Sequence, residues 1–337
     1  MRETLAPKPP SFAALVQQFF TEYLVAQRAL SPRTVACYRD ALLLFLHFAC
    51  RRLGKAPTTV RLADIQPDLI LAFLDHLEQD RKNSVRSRNL RLTALRAFLK
   101  FASRRDVASL HDIERALAVP MKRFERPMLN YLTRAEMVTV LGQPGESWSS
   151  RRDHLLLTML YNTGARVSEI IGVRVVDMVL DGAACVHLRG KGRKLRSIPL
   201  WDATVVEIRS WLRSNPMMRG EAALLPNRDG QAMSRSNVAQ RLNLAVSRAR
   251  VEQPSLLKKR VSPHILRHTT AMHLLQAGVP FNVIALWLGH ESPMTTHRYV
   301  EADLAMKEKA LGRLEAPDAR IRRYQAPDSL IRFLQTL

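Results

Sequence analysis

Side chains that could act together on a phosphodiester are concentrated between residues 262 and 299. This stretch places two imidazoles, one guanidinium and one phenol within 36 residues, at His264, Arg267, His290 and Tyr299. None of them is a carboxylate that could serve as a general base. A phosphodiester suits such a set best, because arginine binds its oxygens in pairs and tyrosine can act as a covalent nucleophile.

The start of this stretch has the pattern of a helix N-terminus. Ser262 supplies a side-chain acceptor at the cap, and Pro263 occupies the first turn, where no amide donor is needed. His264 and Arg267 are three residues apart, so both are expected to project from one side of that first turn.

Two further cationic groups occur upstream in turns. A strongly apolar helix predicted over residues 151–161 ends in a turn signal, and Arg166 follows it with Glu169 three residues later. Lys191 lies in a glycine-containing loop between two strand-like runs, 184–188 and 195–200, which predict a hairpin. The ordered set is therefore Arg166, Lys191, His264, Arg267, His290 and Tyr299.

The charge of the chain favours a polyanionic partner. With 52 Lys and Arg against 30 Asp and Glu in 337 residues, the formal net charge is +22. Counterion release makes nucleic acid the leading candidate. A membrane surface is the competing polyanion, but no apolar run approaches about 18 residues and the first residues lack the apolar core of a signal peptide. We expect a cytoplasmic protein whose three scattered cysteines, Cys37, Cys50 and Cys185, are small core residues and not a zinc site.

Helical periodicity predicts a four-helix module over residues 10–115, with helices opening near Phe12, Ser31, Pro67 and Ser84. The fourth helix lies in a run, 81–105, that contains nine basic residues and no acidic one. A solvated helix face usually mixes charges of both signs, so this face is predicted to contact DNA, with an ordinary solvated face as the alternative. The predicted contacts are Arg86, Arg91, Thr93, Arg96 and Lys100.

A basic, proline-interrupted linker is predicted at residues 116–130 and a second domain at 131–305. Thr133 and Glu136 form a capping-box pattern that opens its first helix. Apart from the hairpin the pattern is helical, so the predicted fold class is mainly α with one small antiparallel sheet. Residues 306–337 form a tail whose amphipathic segment needs a surface to pack on.

Four motif stretches occur in a fixed order along the chain. They are Thr163-Gly164-Ala165-Arg166-Val167-Ser168-Glu169, Gly190-Lys191-Gly192, His264-Ile265-Leu266-Arg267-His268, and Leu288-Gly289-His290 with Tyr299. One such stretch alone is a weak signal, but the complete ordered set resembles the tyrosine recombinase (phage integrase) family. The resemblance covers about residues 10–305. It implies an N-terminal SAM-like core-binding domain and a mostly α catalytic domain that clamp DNA between them.

The resemblance also implies the central chemistry. Tyr299 would attack the scissile phosphate, giving a 3′-phosphotyrosine and a free 5′-hydroxyl. Arg166 and Arg267 would bind the non-bridging oxygens, and Lys191 would protonate the leaving 5′ oxygen.

Supporting roles follow from the same resemblance. His264 would accept the tyrosine proton or hold a phosphate oxygen, and His290 would donate a hydrogen bond to the phosphate. Glu169 would orient the arginine before it or a neighbouring helix. Arg193 and Lys194, in the hairpin loop, are further predicted DNA contacts. With this many protein cations, neither a metal nor a nucleotide cofactor is required.

Alternatives remain for individual residues. Lys194 is an alternative to Lys191, and Tyr324 is the only tyrosine after residue 299. His264 and His268 have the i, i+4 spacing of zinc ligands, but no glutamate follows the first histidine and an arginine lies between them, which disfavours a metal. His268 is expected to be a packed histidine.

The predicted partners are duplex DNA, further copies of this chain and other recombinases, with no membrane. In the family the C-terminal helix commonly docks on a neighbouring protomer in a cyclic tetramer on two duplexes. The same is expected of the tail here, with packing on its own domain as the alternative. The predicted function is site-specific recombination: integration, excision or resolution of DNA elements. The alternatives are a type IB topoisomerase, which would relax supercoiled DNA without a defined site, and a catalytically silent DNA-binding protein.

Overall fold

The computed structural model describes residues 10–125, 130–190 and 194–289. The chain separates into two compact units, Met1–Arg126 and Pro127–Leu337. Within the described ranges the first unit contains helices only, and the second combines helices with one small sheet.

The described part of the first unit consists of five α-helices and a π-helical segment. Helix α1, Phe12–Gln18, runs directly into the π-helical Phe19–Gln27. The other helices are α2 Pro32–Leu53, α3 Pro67–Gln79, α4 Val85–Ala102 and α5 Leu110–Leu117, with 3₁₀ turns at Pro57–Thr59 and Leu62–Asp64. Serine side chains cap three of these helices by accepting from the backbone N–H three residues later, at Ser11, Ser31 and Ser84.

Aromatic rings fill the core of the first unit. The ring of Phe19 lies 5.6 Å from Phe98 and 5.4 Å from Phe101, both on α4. Phe45 of α2 meets Phe73 of α3 edge to face at 5.3 Å. Helix α4 supplies a complete apolar stripe to this core, as periodicity predicted, at Leu92, Leu95, Leu99 and Ala102.

Helix α5 is a departure from the sequence prediction. It spans residue 116, the predicted start of the linker, and buries Ile113 and Ala116 in the core of the first unit. Val119, two residues after the helix, is also buried there. Eight residues give too few repeats for a periodic pattern to be recognised. The chain therefore stays packed on the first unit within the stretch assigned to the linker.

The second unit opens with the predicted capping box. The Thr133 hydroxyl accepts the backbone N–H of Glu136 at 3.2 Å, and the Glu136 carboxylate accepts that of Thr133 at 2.8 Å. The helices are α6 Arg134–Leu141, α7 Trp148–Thr163, α8 Val167–Ile170, α9 Asp202–Arg213, α10 Arg235–Glu252, α11 Pro263–Gln276 and α12 Phe281–Leu288. Short 3₁₀ helices occur at Val175–Asp177 and Pro254–Lys258.

One antiparallel sheet, in the order β1-β2-β3, lies between α8 and α9 along the chain. Its strands are β1 Met178–Val179, β2 Cys185–Arg189 and β3 Leu195–Pro199. Val186 is paired with Ile198 and Leu188 with Arg196, and the three aliphatic side chains are buried against the helical core. The predicted fold class is confirmed; the two-residue β1 was not predicted.

The expectation that the cysteines are core residues is wrong for Cys37. All three cysteines are free thiols, with Cys37 exposed and the other two half-buried. No helix in the described ranges combines the length and apolar character needed to cross a bilayer.

Candidate active site

A glycine turn brings three helices of the second unit together. Helix α7 ends at Gly164, whose φ of +59° is in the left-handed region. A Cβ at this position would lie 2.6 Å from Leu288 Cδ2 on α12 and 3.3 Å from Thr270 Cγ2 on α11. Glycine is therefore required at position 164 for two reasons, the left-handed backbone conformation and the close approach of α11 and α12.

Arg166 follows this turn as the N-cap residue of α8. Its backbone N–H donates to Glu169 Oε2 at 2.8 Å, and its Nη1 donates to Glu169 Oε1 at 2.8 Å. Arg196 Nη2 donates to the same Oε2 at 2.7 Å. Glu169 is 4% exposed, so one buried carboxylate neutralises two arginines. Burial raises the pKa of Glu169, but hydrogen bonds from Arg196 and Arg166 outweigh burial and hold its pKa below the ordinary value.

Arg267 projects from α11 toward the same place. Its Nη1 donates to the carbonyl of Gly164 at 2.7 Å, and its Nη2 donates to the carbonyl of Leu288 at 2.6 Å. The residue is 3% exposed. Arg267 thus ties the turn before Arg166 to the end of α12.

The C-terminal end of α12 is where the arginines converge. The carbonyls of Trp287, Leu288 and Gly289 accept from Arg196 Nε at 2.9 Å, Arg267 Nη2 at 2.6 Å and Arg166 Nη2 at 3.3 Å, respectively. A helix C-terminus carries partial negative charge and unsatisfied carbonyls, so three guanidinium groups are well placed there. Residues far apart in sequence meet immediately before His290.

His264 lies at the start of the same helix as Arg267, as predicted. Ser262 caps α11, its hydroxyl accepting the Ile265 N–H at 3.4 Å. His264 is exposed and its ring centroid lies 4.9 Å from that of the half-buried His268. Within the described ranges, no group of three or more His, Cys, Asp or Glu side chains is arranged to hold a metal ion.

Several predicted site residues lie outside the described residues: Lys191, Arg193, His290 and Tyr299. The predicted C-terminal tail, 306–337, lies outside them too. The structure describes the two residues that flank the hairpin loop, Gly190 and Lys194. The Gly190 N–H donates to the Lys194 carbonyl at 2.8 Å, and Lys194 is exposed.

The predicted DNA-contact face of α4 is only partly available at the surface. Arg86, Thr93 and Lys100 are exposed, and the half-buried Arg91 donates to the carbonyl of Ser87 at 3.3 Å. These four residues keep their predicted role as a hypothesis.

Arg96 is engaged within the first unit, and its predicted contact with DNA stays a prediction. Its Nη2 donates to the carbonyls of Leu117 and Val119, at 3.1 and 2.5 Å. In this structure the guanidinium is engaged at the end of α5 and attaches that helix to α4, a role that the spacing of basic residues on α4 could not indicate. Arg88, in the same basic run, is buried and paired with Glu78 at 3.2 Å.

Arg196 is the site residue that motif reasoning missed. It lies two residues before Ile198 on β3, so both side chains are on the strand face that packs inward. Arginine on an inward strand face requires a buried partner, and Glu169 is that partner. The available signal was the two-residue spacing between Arg196 and the apolar Ile198 within a strand-like run.

Comparison with known proteins identifies the family. The chain matches the model of the Phage integrase family over residues 130–306, more than half its length, and that of the Phage integrase, N-terminal SAM-like domain over residues 16–106. The chain therefore belongs to the phage integrase family, the tyrosine recombinases. The motif resemblance and the SAM-like N-terminal domain are confirmed.

Individual relatives agree with this assignment. The chain is 44% identical to the protein named "Putative integrase/recombinase y4rC" of Sinorhizobium fredii, covering 98% of this chain and 99% of that protein. It is 31% identical to the tyrosine recombinase XerC of Pelobacter propionicus, over 85% and 90% of the two chains. Among solved structures, a lambda integrase tetramer bound to a Holliday junction matches with a TM-score of 0.59 and 17% identity, over 87% of this chain and 78% of that one.

Proposed function

We propose that this chain is a site-specific DNA recombinase that cuts and rejoins duplex DNA with Tyr299 as its nucleophile. The observation that carries the proposal is the meeting of Arg166 and Arg267 at the end of α12, immediately before His290. Fixed guanidinium groups supply the positive charge that a phosphoryl-transfer transition state needs. Family membership supports recombination over topoisomerase-like relaxation or silent binding.

The proposed step is one transesterification. Tyr299 Oη forms a bond to phosphorus as the bond from phosphorus to the 5′ oxygen breaks, leaving a 3′-phosphotyrosine. The phenol proton passes to His264, and Lys191 gives a proton to the leaving 5′ oxygen. A free phenol has a pKa of about 10, so it needs a cationic setting or a base to react near neutral pH. Arg166 and Arg267 stabilise the added charge on the non-bridging oxygens, an effect worth about 10²–10³ in rate for one such donor.

Two further side chains complete the proposed site. His290 donates a hydrogen bond to the phosphate, and Glu169 holds the guanidinium of Arg166 in place. Attack by another 5′-hydroxyl on the phosphotyrosine reverses the step and joins new strands. The energy of the broken bond is kept in the intermediate, so the reaction runs without a nucleotide cofactor.

DNA would be held by both parts of the chain, in the cytoplasm. We assign residues 10–119 to a core-binding domain, 120–130 to a linker and 131–305 to the catalytic domain, because Ala116 and Val119 are buried in the core of the first unit. The exposed residues of α4 and the loop residues Arg193 and Lys194 supply phosphate contacts. The net charge of +22 supports this assignment.

A tetramer on DNA is the proposed assembly, because a lambda integrase tetramer on a Holliday junction shares the fold. Residues 306–337 would dock on a neighbouring copy. Native gels of protein–DNA complexes with and without residues 317–337 test this, and assembly unaffected by the deletion contradicts it.

Covalent capture tests the nucleophile. The full chain is incubated with a pool of nicked duplexes of randomised sequence, and the products are separated under denaturing conditions. We expect a protein–DNA adduct that Tyr299→Phe abolishes and that Tyr324→Phe, the matched control, retains. An adduct that persists in Tyr299→Phe refutes this nucleophile. Relaxation of supercoiled plasmid without a preferred sequence in the captured pool would instead indicate a topoisomerase.

A further inference from the structure

Arg196 is built into the site although the motif set does not contain it. Its Nη2 donates to Glu169 Oε2 at 2.7 Å, and its Nε donates to the carbonyl of Trp287 at 2.9 Å. Its side chain is 13% exposed and that of Glu169 is 2% exposed, so this is a buried ion pair. Two nitrogen donors of one guanidinium therefore connect strand β3 to helix α8 and to the end of α12.

The same guanidinium also lies against the start of the hairpin loop. A Cβ at Gly190 would lie 3.3 Å from Glu169 Oε1 and 3.4 Å from Arg196 Nη1. At the other end of the loop, Lys194 accepts from the Gly190 N–H, and Arg196 follows two residues later. The start of the loop that contains Lys191 is thus set against the Arg196–Glu169 ion pair, and the end of the loop is hydrogen-bonded to that start.

The same guanidinium is equally close to the residue that ends α12. A Cβ at Gly289 would lie 3.1 Å from Arg196 Nη1 and 3.3 Å from its Cζ. Glycine at 190 and at 289 allows the backbone to approach the planar group closely at two positions. This arrangement restricts where the loop can start and end relative to the arginines of the site.

We propose that Arg196 is a positioning residue for phosphoryl transfer, which anchors the loop containing Lys191 to Glu169 and to the end of α12. The inference rests on the proposed function, in which Lys191 protonates the leaving 5′ oxygen. Arg196 itself does not touch the DNA in this role. Its loss leaves the start of the loop without its anchor and leaves Glu169 to be neutralised by Arg166 alone.

Lysine at this position is expected to be a partial substitute. Arginine presents donors on separate nitrogens, here Nη2 to a carboxylate and Nε to a carbonyl, whereas lysine has a single ammonium group. Arg196→Lys keeps the charge beside Glu169 and loses the simultaneous contact with Trp287. Arg196→Gln loses both.

The test compares two leaving groups in single-turnover cleavage at saturating DNA. One substrate is the captured duplex with its ordinary 5′ oxygen, and the other carries sulfur at that bridging position. A thiolate leaves without being protonated, because thiols have a pKa of about 8.5 and alcohols a far higher one. We expect Arg196→Gln to cleave the oxygen substrate about 10²-fold more slowly than wild type, the loss typical of a misplaced catalytic group. With the sulfur substrate, the ratio of the wild-type cleavage rate to the Arg196→Gln rate should fall by at least about tenfold, since the general acid is then dispensable.

The controls separate this role from general damage. Arg189→Gln removes a charge from the same hairpin, where the side chain is 65% exposed and 3.6 Å from Asp177, and should cleave both substrates like wild type. Arg196→Lys should fall between wild type and Arg196→Gln, and it remains informative if the glutamine variant fails to fold. Thermal unfolding and DNA affinity are measured for each variant.

The outcomes are distinct. A folded Arg196 variant that cleaves the oxygen substrate like wild type overturns the inference, and so does an equal loss on both substrates. Absence of any adduct with wild-type protein would overturn the proposed function instead.

Discussion

At the scale of single residues, Glu169 is the carboxylate on which Arg166 and Arg196 both depend. Glu169→Gln should lower the free energy of unfolding at neutral pH by roughly 1–3 kcal/mol, because buried charged donors lose their counter-charge. The pKa of Glu169 is held below its ordinary value of 4.5, so the stability that ionised Glu169 contributes is fully present above that value. It is lost as pH falls through the lower pKa of the folded state.

The measurement is urea unfolding of wild type and Glu169→Gln at a series of pH values. The difference between the two free energies should shrink as pH falls below 4.5. Glu136 and Asp177 also have lowered pKa values, but both proteins contain them, so the difference isolates Glu169. A difference that stays constant into acid would show that the stabilisation does not depend on the ionised carboxylate.

Residue types and spacing predicted Arg166, Glu169 and Arg267 as site residues, and the structure brings them together. They did not reveal Arg196, because the partner of a buried charge is set by tertiary packing. Arg196 and Glu169 are on different elements, and only the folded hairpin places them 2.7 Å apart. Hydrogen bonds to the carbonyls of α12 were invisible for the same reason.

At the scale of elements, the packing of α7 against α11 and α12 depends on Gly164. Gly164→Ala should lower the free energy of unfolding by about 2–4 kcal/mol, since alanine is strained at a φ of +59° and its methyl overlaps Leu288. Denaturant unfolding measures this loss.

Gly182→Ala is the matched control for that substitution. Gly182 has a φ of +67°, and nothing lies within 4 Å of the position its Cβ would take. It should therefore show only the conformational cost, about 1–2 kcal/mol. If the two alanine variants are equally stable, the contact between Gly164 and α12 does not limit packing.

Helices were predicted correctly where apolar periodicity repeats over several turns, and a helix was missed where it is too short for that pattern to repeat. Helices α2, α3 and α4 show several turns of apolar periodicity and start at predicted positions. Helix α5 has eight residues, and the carbonyl of its last residue, Leu117, accepts from Arg96 of another helix. The periodicity of α4 indicates which residues share a helix face but not what packs on that face. It therefore predicts Arg96 as a DNA contact and does not reveal its bonds to the end of α5.

At the scale of the whole molecule, the net charge of +22 combines charges that stabilise the fold with charges available to DNA. On α4, Arg88 and Arg96 are engaged inside the first unit, whereas Arg86 and Lys100 are exposed. Only charges that neutralise phosphates release counterions, so the salt dependence of binding distinguishes the two kinds.

Lys100→Gln should therefore change the salt dependence of DNA binding, and Arg96→Gln should change the stability of the fold. The first removes an exposed charge, so a plot of log Kobs against log salt should become shallower by about one, with little change in unfolding free energy. The second removes a hydrogen-bonded charge, so the slope should stay that of wild type while the free energy of unfolding falls by roughly 1–3 kcal/mol. Fluorescence anisotropy with a labelled duplex over about 50–200 mM salt, at a temperature where both variants are folded, measures the slopes. If the slope of log Kobs against log salt for Arg96→Gln is also shallower by about one, the Arg96 guanidinium leaves the end of α5 and contacts phosphate when DNA binds. In that case the predicted DNA-contact face of α4 includes Arg96 when DNA is bound. The Arg96 guanidinium then stabilises the fold in the free protein and contacts phosphate in the complex.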